Sequence, residues 1–267
     1  MVPGADGSRD ANGQFSKVAV IVNADDLGLW PSVDRGIFTA WTAGAVGDST
    51  VFANAPALNE ILSRARELGL PAGVHLNLTY GRPLCDPAEI PALVTPAGEF
   101  MKRGAWTLPL PAEQVRRELR RQVERLIAAG WTPSHLDTHH HIHTYPEVLA
   151  AVVELARELR LPVRSVNAGM RAALREAGIP TPDHFTMAFY GEKATVDTLI
   201  ALTKECPGGI LEIMTHPGYA DPALPSSYRK DRERELAALT DPVWRQYLSG
   251  KGIPIVGYGA VAGLQAG

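Results

Sequence analysis

Cysteine is nearly missing from this chain. Cys85 and Cys206 are the only two in 267 residues, too few for a disulfide framework and in no C-x-x-C metal spacing. That usage predicts a reducing, cytoplasmic setting. Long apolar runs are missing too: none approaches the roughly 20 residues that cross a bilayer, so no membrane span is expected. Nor does either sign of charge dominate, with 26 lysines and arginines against 29 acids and a formal net charge of −3. Even the densest basic stretch, Arg116 to Arg125, is interleaved with Glu118 and Glu124 and preceded by Glu113, which predicts a solvated helix face and excludes a phosphate-backbone footprint. The first apolar strand is not followed by a G-x-G-x-x-G turn, which removes the dinucleotide signature. Residues 1–16 have neither the basic nor the apolar region of an export signal, and their Gly, Asp, Asn and Ser content predicts a disordered tail.

What is present is an apolar fraction of 45%, ample for a core, and a regular alternation of two periodicities. Short β-branched or apolar runs at 18–22, 49–53, 72–78, 135–139, 162–166, 185–189, 209–214 and 253–256 read as strands. Between them, three- and four-residue apolar spacing predicts helices opening at Pro31 and over 57–68, 112–129, 146–159, 171–177, 196–204 and 229–239. In the 112–129 helix, Val115, Leu119, Val123, Leu126 and Ile127 form the inward stripe. Repeated βα units place the chain in the α/β class. Their number and the chain length predict a TIM-like (β/α) barrel of seven or eight strands, irregular in places, forming one catalytic domain over 17–267. Residues 80–110 are proline-rich and aperiodic, which predicts a substrate-facing insertion.

In such a barrel all strand C-termini share one face, where active sites are built. The first strand ends at Asp25 and Asp26, the third contains His75, the fourth ends at His139 and the seventh runs into Thr215-His216-Pro217-Gly218. Each has an ordinary explanation taken alone: a helix cap for an aspartate, a core histidine for His75, a turn for His216. Together they put carboxylates and imidazoles on one rim, the donors a divalent cation takes. In the run 135–143 an extended backbone turns His135, Asp137 and His139 to one face, whereas a helix would stack His139 on His143. Pro146 lets a helix start only after the run, so His139 is the preferred strand-end ligand, with His141 or His143 lining the pocket.

At these residues the chain resembles the YdjC-like carbohydrate deacetylases, through NADDLG at 23–28, GVHLNLT at 73–79, HLDTHHHIHTYP at 135–146 and THPGY at 215–219. The resemblance implies a TIM-like barrel and a metal-dependent amide hydrolase that removes acetyl groups from a small N-acetylated sugar or oligosaccharide. Carried over position by position, it makes Asp26, His75 and His139 the metal ligands, Asp25 the general base, His216 the general acid and Arg164 the residue that orients the base. His141, His143, Asn77 and Tyr219 are expected to contact substrate, and a homodimer is the family's expectation. The family pattern implies magnesium, whereas two imidazoles and a carboxylate suit zinc, manganese or cobalt better. Leu29-Trp30 departs from the small or polar residues usual after the family's first turn, which bears on substrate identity. Two other readings are a lactam hydrolase like the 5-oxoprolinase component, which lacks this Asp pair and histidine run, and a catalytically silent sugar- or metal-binding module.

Overall fold

The structure is a computed structural model that describes residues 17–262. Its centre is a six-stranded parallel sheet in the order β4-β3-β2-β1-β6-β5. The strands are β1 (Val18–Leu27), β2 (Asp48–Val51), β3 (Ala72–Leu76), β4 (Leu136–Thr138), β5 (His184–Thr186) and β6 (Gly209–Thr215). β1 is buried along almost its whole length between β2 and β6, which explains its Val-Ala-Val-Ile-Val composition.

The expected seven or eight strands become six, and the sheet curls into an open half-barrel. The predicted strands at 162–166 and 253–256 contribute single bridges, Leu136 to Val163 and Val20 to Ile255. Both segments carry a proline, Pro162 and Pro254, whose missing N–H cannot join a ladder. Their carbonyls still accept, from Leu136 and Val20 respectively. Beyond β4 the chain enters a 3-10 turn at His139–Thr144, so the predicted strand stops one residue before His139.

Helices α1 (Pro31–Thr42), α2 (Leu58–Leu68), α3 (Ala112–Ala128), α4 (Pro146–Leu159), α5 (Ala168–Glu176), α6 (Val196–Glu205) and α7 (Lys230–Thr240) match the predicted helical stretches closely. α8 (Pro242–Lys251) was not expected. Asp241 caps it by accepting from the Val243 N–H at 2.7 Å, and only Trp244 and Leu248 of its residues are buried, too thin a stripe to register as a period. A last short turn, α9, spans Gly259–Ala262. None of the described helices is long and apolar enough to cross a membrane.

α3 corrects two details. Ile127 stands 46% exposed, outside the inward stripe, while Glu118 is fully buried instead of solvated. Glu118 accepts from the N–H groups of Leu84 and Cys85 and from Gln122, and Gln122 in turn grips both the N–H and the carbonyl of Asn77. This clasp ties the first part of the 80–110 insertion to the end of β3. The predicted tail at 1–16 lies outside the described residues.

Candidate active site

Successive side chains of a strand face opposite sides of the sheet, yet Asp25 and Asp26 both line one cavity. β1 achieves this with a bulge: its register on β2 shifts between Ala24 and Leu27, and Asp26 takes φ +74°. The strand therefore runs through the acids to Leu27 instead of ending at them. A left-handed backbone costs an L residue about 1–2 kcal/mol, and such strain characteristically gathers at functional sites.

Asp26 Oδ1 lies 3.3 Å from His75 Nε2 and 3.3 Å from His139 Nδ1. It is buried and has no hydrogen-bond partner. The other ring nitrogen of His75 meets Asp137 Oδ1 at 2.7 Å, which holds the ring and leaves Nε2 facing Asp26 as a ligand. Ligands bound at about 2.0–2.1 Å to a tetrahedral cation stand about 3.3–3.4 Å apart, so these three atoms fit a divalent metal. The electrostatics agree. Burial pushes His75 down, but Asp137 and Asp26 outweigh it and push the imidazole up to about 10. His139 goes the other way: burial pushes its imidazole down despite Asp26, which favours the neutral ring a cation binds. Asp26 is held well below the usual carboxylate range despite burial, through Arg232 and the two histidines.

A second acidic group, Asp25 with His75 and Asp137, is close enough to be considered for metal. Arg164 already fills it. Its Nη1 and Nη2 donate to the two oxygens of Asp25 at 2.7 Å each, Nη1 also meets Asp137 Oδ2 at 2.8 Å, and Nε donates to Glu212 at 2.8 Å. Asn23 adds a third donor to Asp25 at 2.7 Å. Burial alone would raise the Asp25 carboxyl, but Arg164 reverses the sign and keeps it ionised.

His216 follows β6 and lines the same cavity. Its backbone N–H donates to Glu235, and its Nδ1 lies 3.5 Å from Glu235 Oε1. Burial lowers the imidazole, but Glu235 with Asp26 and Asp25 outweighs it, so the group is raised. Tyr228 also donates to Glu235, and its ring stacks on Tyr190 at 4.2 Å between centroids.

The histidine turn divides. His140 and His141 adopt left-handed backbone, φ 55° and 51°, and both line the cavity with His139. His141 is pushed down to about 2, by burial first and then by Arg164, and so stays neutral. His143 is not in the cavity lining; it is fully buried and bonded to Thr138 Oγ1. Asn77 is spent on the turn after β3, accepting from the Thr79 and Tyr80 N–H groups at 2.9 and 3.0 Å. Tyr219 stands outside the lining, with its hydroxyl 3.2 Å from Thr39 Oγ1. None of these last three, which the sequence expectation gave to the substrate, is among the residues that line the cavity.

Among the residues of the site that escaped the sequence reading are Arg232, whose Nη2 donates to Asp26 Oδ2 at 2.6 Å, and Glu235. A signal existed. With Leu236 and Leu239 they occupy the buried face of α7, so two charges sit at core spacing, where a charge survives only with a partner.

The chain matches the YdjC-like protein family over residues 19–250. It is 40% identical over 244 residues to a carbohydrate deacetylase of Geobacillus stearothermophilus, a match covering 89% of this chain and 96% of that one. A crystal structure from Enterococcus faecalis, named for cellobiose-phosphate cleavage, superposes with a TM-score of 0.86 at 30% identity over 92% of this chain and 99% of that one. The lactam utilization protein of Thermus thermophilus covers 89% of this chain and 99% of its own at 14% identity, with a TM-score of 0.51. That last likeness is one of fold alone.

Proposed function

The chain belongs to the YdjC-like protein family, and on that premise we propose that it is a metal-dependent carbohydrate N-deacetylase that hydrolyses the acetamide of an N-acetylated sugar. The observation that carries the reading is the unpartnered Asp26 Oδ1 at 3.3 Å from two imidazole nitrogens, in the same cavity as Asp25 and His216. A relative named carbohydrate deacetylase over almost its full length supports the substrate class.

Asp26, His75 and His139 would hold the cation, which when bound supplies Lewis acidity to the amide carbonyl and to water. Two imidazoles and one carboxylate favour zinc, manganese or cobalt over magnesium. Asp25 accepts the proton of the attacking water. Its contacts with Arg164 and Asn23 keep it ionised and aimed, and as a weak base it would depend on the acidity that a bound cation lends to water. His216, whose imidazole Glu235 raises above its usual value, gives its proton to the amine nitrogen, which leaves poorly as an anion. General acid and base groups of this kind contribute about 10²- to 10⁴-fold each.

The test is acetate release from N-acetylglucosamine, N,N′-diacetylchitobiose and longer oligomers, with protein stripped by a chelator and then reloaded with each cation. Acetate formed only by reloaded protein is the expected result. Absence of acetate from every amide substrate with every cation would overturn the reading.

A further inference from the structure

We propose that Arg232 anchors the substrate, donating through Nη1 to an oxygen of the N-acetylated sugar beside the metal-side carboxylate; this rests on the deacetylase reading above. Arg232 is 3% exposed and lines the cavity. Two of its three nitrogens are accounted for: Nη2 donates to Asp26 Oδ2 at 2.6 Å and Nε to the Tyr228 carbonyl at 3.1 Å. Nη1 is buried and has no hydrogen-bond partner. Buried polar groups are nearly always paired, and a charged donor left alone is the costliest exception. Because the guanidinium is a rigid planar fork, the two contacts made also fix the direction of the third.

The arginine's seat is prepared. Its backbone carbonyl accepts from the Gly218 N–H at 3.2 Å. A Cβ added at Gly218 would stand 3.1 Å from Arg232 Cδ and 3.2 Å from Arg232 Cβ, and one added at Gly36 would come within 2.3 Å of the Gly218 Cα. The glycine of the His216-Pro217-Gly218 motif therefore lets the loop carrying His216 lie against both α1 and the arginine stem. If Arg232 were only a counter-ion for Asp26, a single cationic contact would suffice. A lysine could supply that as a point charge, without a second arm.

That contrast sets the experiment. Arg232→Lys keeps a positive charge within reach of Asp26 and removes the fork, and Arg232→Gln serves as the second variant. Binding of N,N′-diacetylchitobiose to chelator-stripped protein, where no hydrolysis competes, is measured by calorimetric titration alongside the KM and kcat of reloaded protein and its bound metal. Expected are Kd and KM weakened about 10- to 100-fold, the range of a charge-assisted hydrogen bond, with one metal per chain retained and melting temperature nearly unchanged in Arg232→Lys. Variants that bind and turn over like the parent would overturn the anchoring role. So would losses that follow metal content and vanish when metal is saturating, because Arg232 would then serve Asp26 alone. A parent protein that neither binds nor deacetylates the sugar would instead overturn the deacetylase reading, and the anchor with it.

Discussion

Asp25 and Asp26 are adjacent and chemically identical, yet the bulge in β1 gives them different neighbours. Asp26 turns one oxygen to Arg232 and the other to two imidazoles, whereas both oxygens of Asp25 are held by Arg164, so their removal should fail in different ways. Asp26→Asn is expected to lose bound metal, measured by elemental analysis. Asp25→Asn is expected to keep metal and lose turnover by about 10²- to 10⁴-fold; retained turnover in that variant would reject Asp25 as the base. A second residue-level expectation concerns His216. Its pKa is raised above the ordinary imidazole value against the pull of burial, chiefly by Glu235, so the protonated acid persists further up the pH scale and activity falls as pH rises through that raised value. Glu235→Gln removes the carboxylate, so the alkaline limb of the kcat profile should move to lower pH with metal content unchanged. An unmoved limb would show that Glu235 only packs. Asp25, His75, His139 and His216 were legible because each sits at the end of a recognisable strand or motif. Arg232 and Glu235 were not, because charges in Asp-Arg-Glu-Arg-Glu look solvated until α7 is rotated onto its buried face.

Helices were easier to read than strands, and the reason lies in what each needs. α2, α3 and α4 satisfy their own backbone, so the apolar stripe alone announces them. A strand must find a partner, which local sequence does not name, and so 162–166 and 253–256 read as strands while making one bridge each. Backbone handedness was also hidden: the chain turns left-handed at His140 and His141, where no glycine marks it. The same conformation closes α4 at Arg160, φ 55° and ψ 42°, on an exposed residue outside the cavity lining. Glycine is the residue that adopts this C-terminal cap without steric cost. Arg160→Gly should therefore stabilise the protein by about 0.5–1 kcal/mol, after allowing for the entropy glycine adds to the unfolded chain. For a chain of this size that corresponds to a rise of about 1–4 °C in melting temperature, with kcat and KM unaltered. A fall in melting temperature would mean that the arginine side chain contributes more than its strained backbone costs.

Across the whole molecule, the open half-barrel places one buried guanidinium where three strands converge. Arg164 lies beside the single bridge at Val163 and binds Asp25 of β1, Asp137 of β4 and Glu212 of β6. The predicted TIM-like barrel and the observed curled sheet both bring Asp25, Asp26, His75, His139 and His216 to one cavity, although 162–166 and 253–256 contribute only single bridges. Three carboxylates around one cation are not balanced by it alone: burial pushes Glu212 up to about 7 even with Arg164 and the Tyr258 hydroxyl opposing. Replacing Arg164 by Met removes the cation and leaves the acids buried, a change that costs about 3–5 kcal/mol when one partner of a buried pair is lost. The pH dependence follows in sign. In the parent, the lowered Asp25 contributes stability that is present above its unfolded pKa and lost as pH falls. Without Arg164 that contribution disappears, burial raises both Asp25 and Glu212, and the variant is least stable where they must ionise. The gap in melting temperature between parent and Arg164→Met should accordingly be wider at pH 8 than at pH 5, where the lost Asp25 contribution still counts but the raised carboxyls are largely protonated, as followed by calorimetry at the two values. An equal gap at both would mean that the arginine holds the strand ends by packing, and that its charge is not what the three carboxylates need.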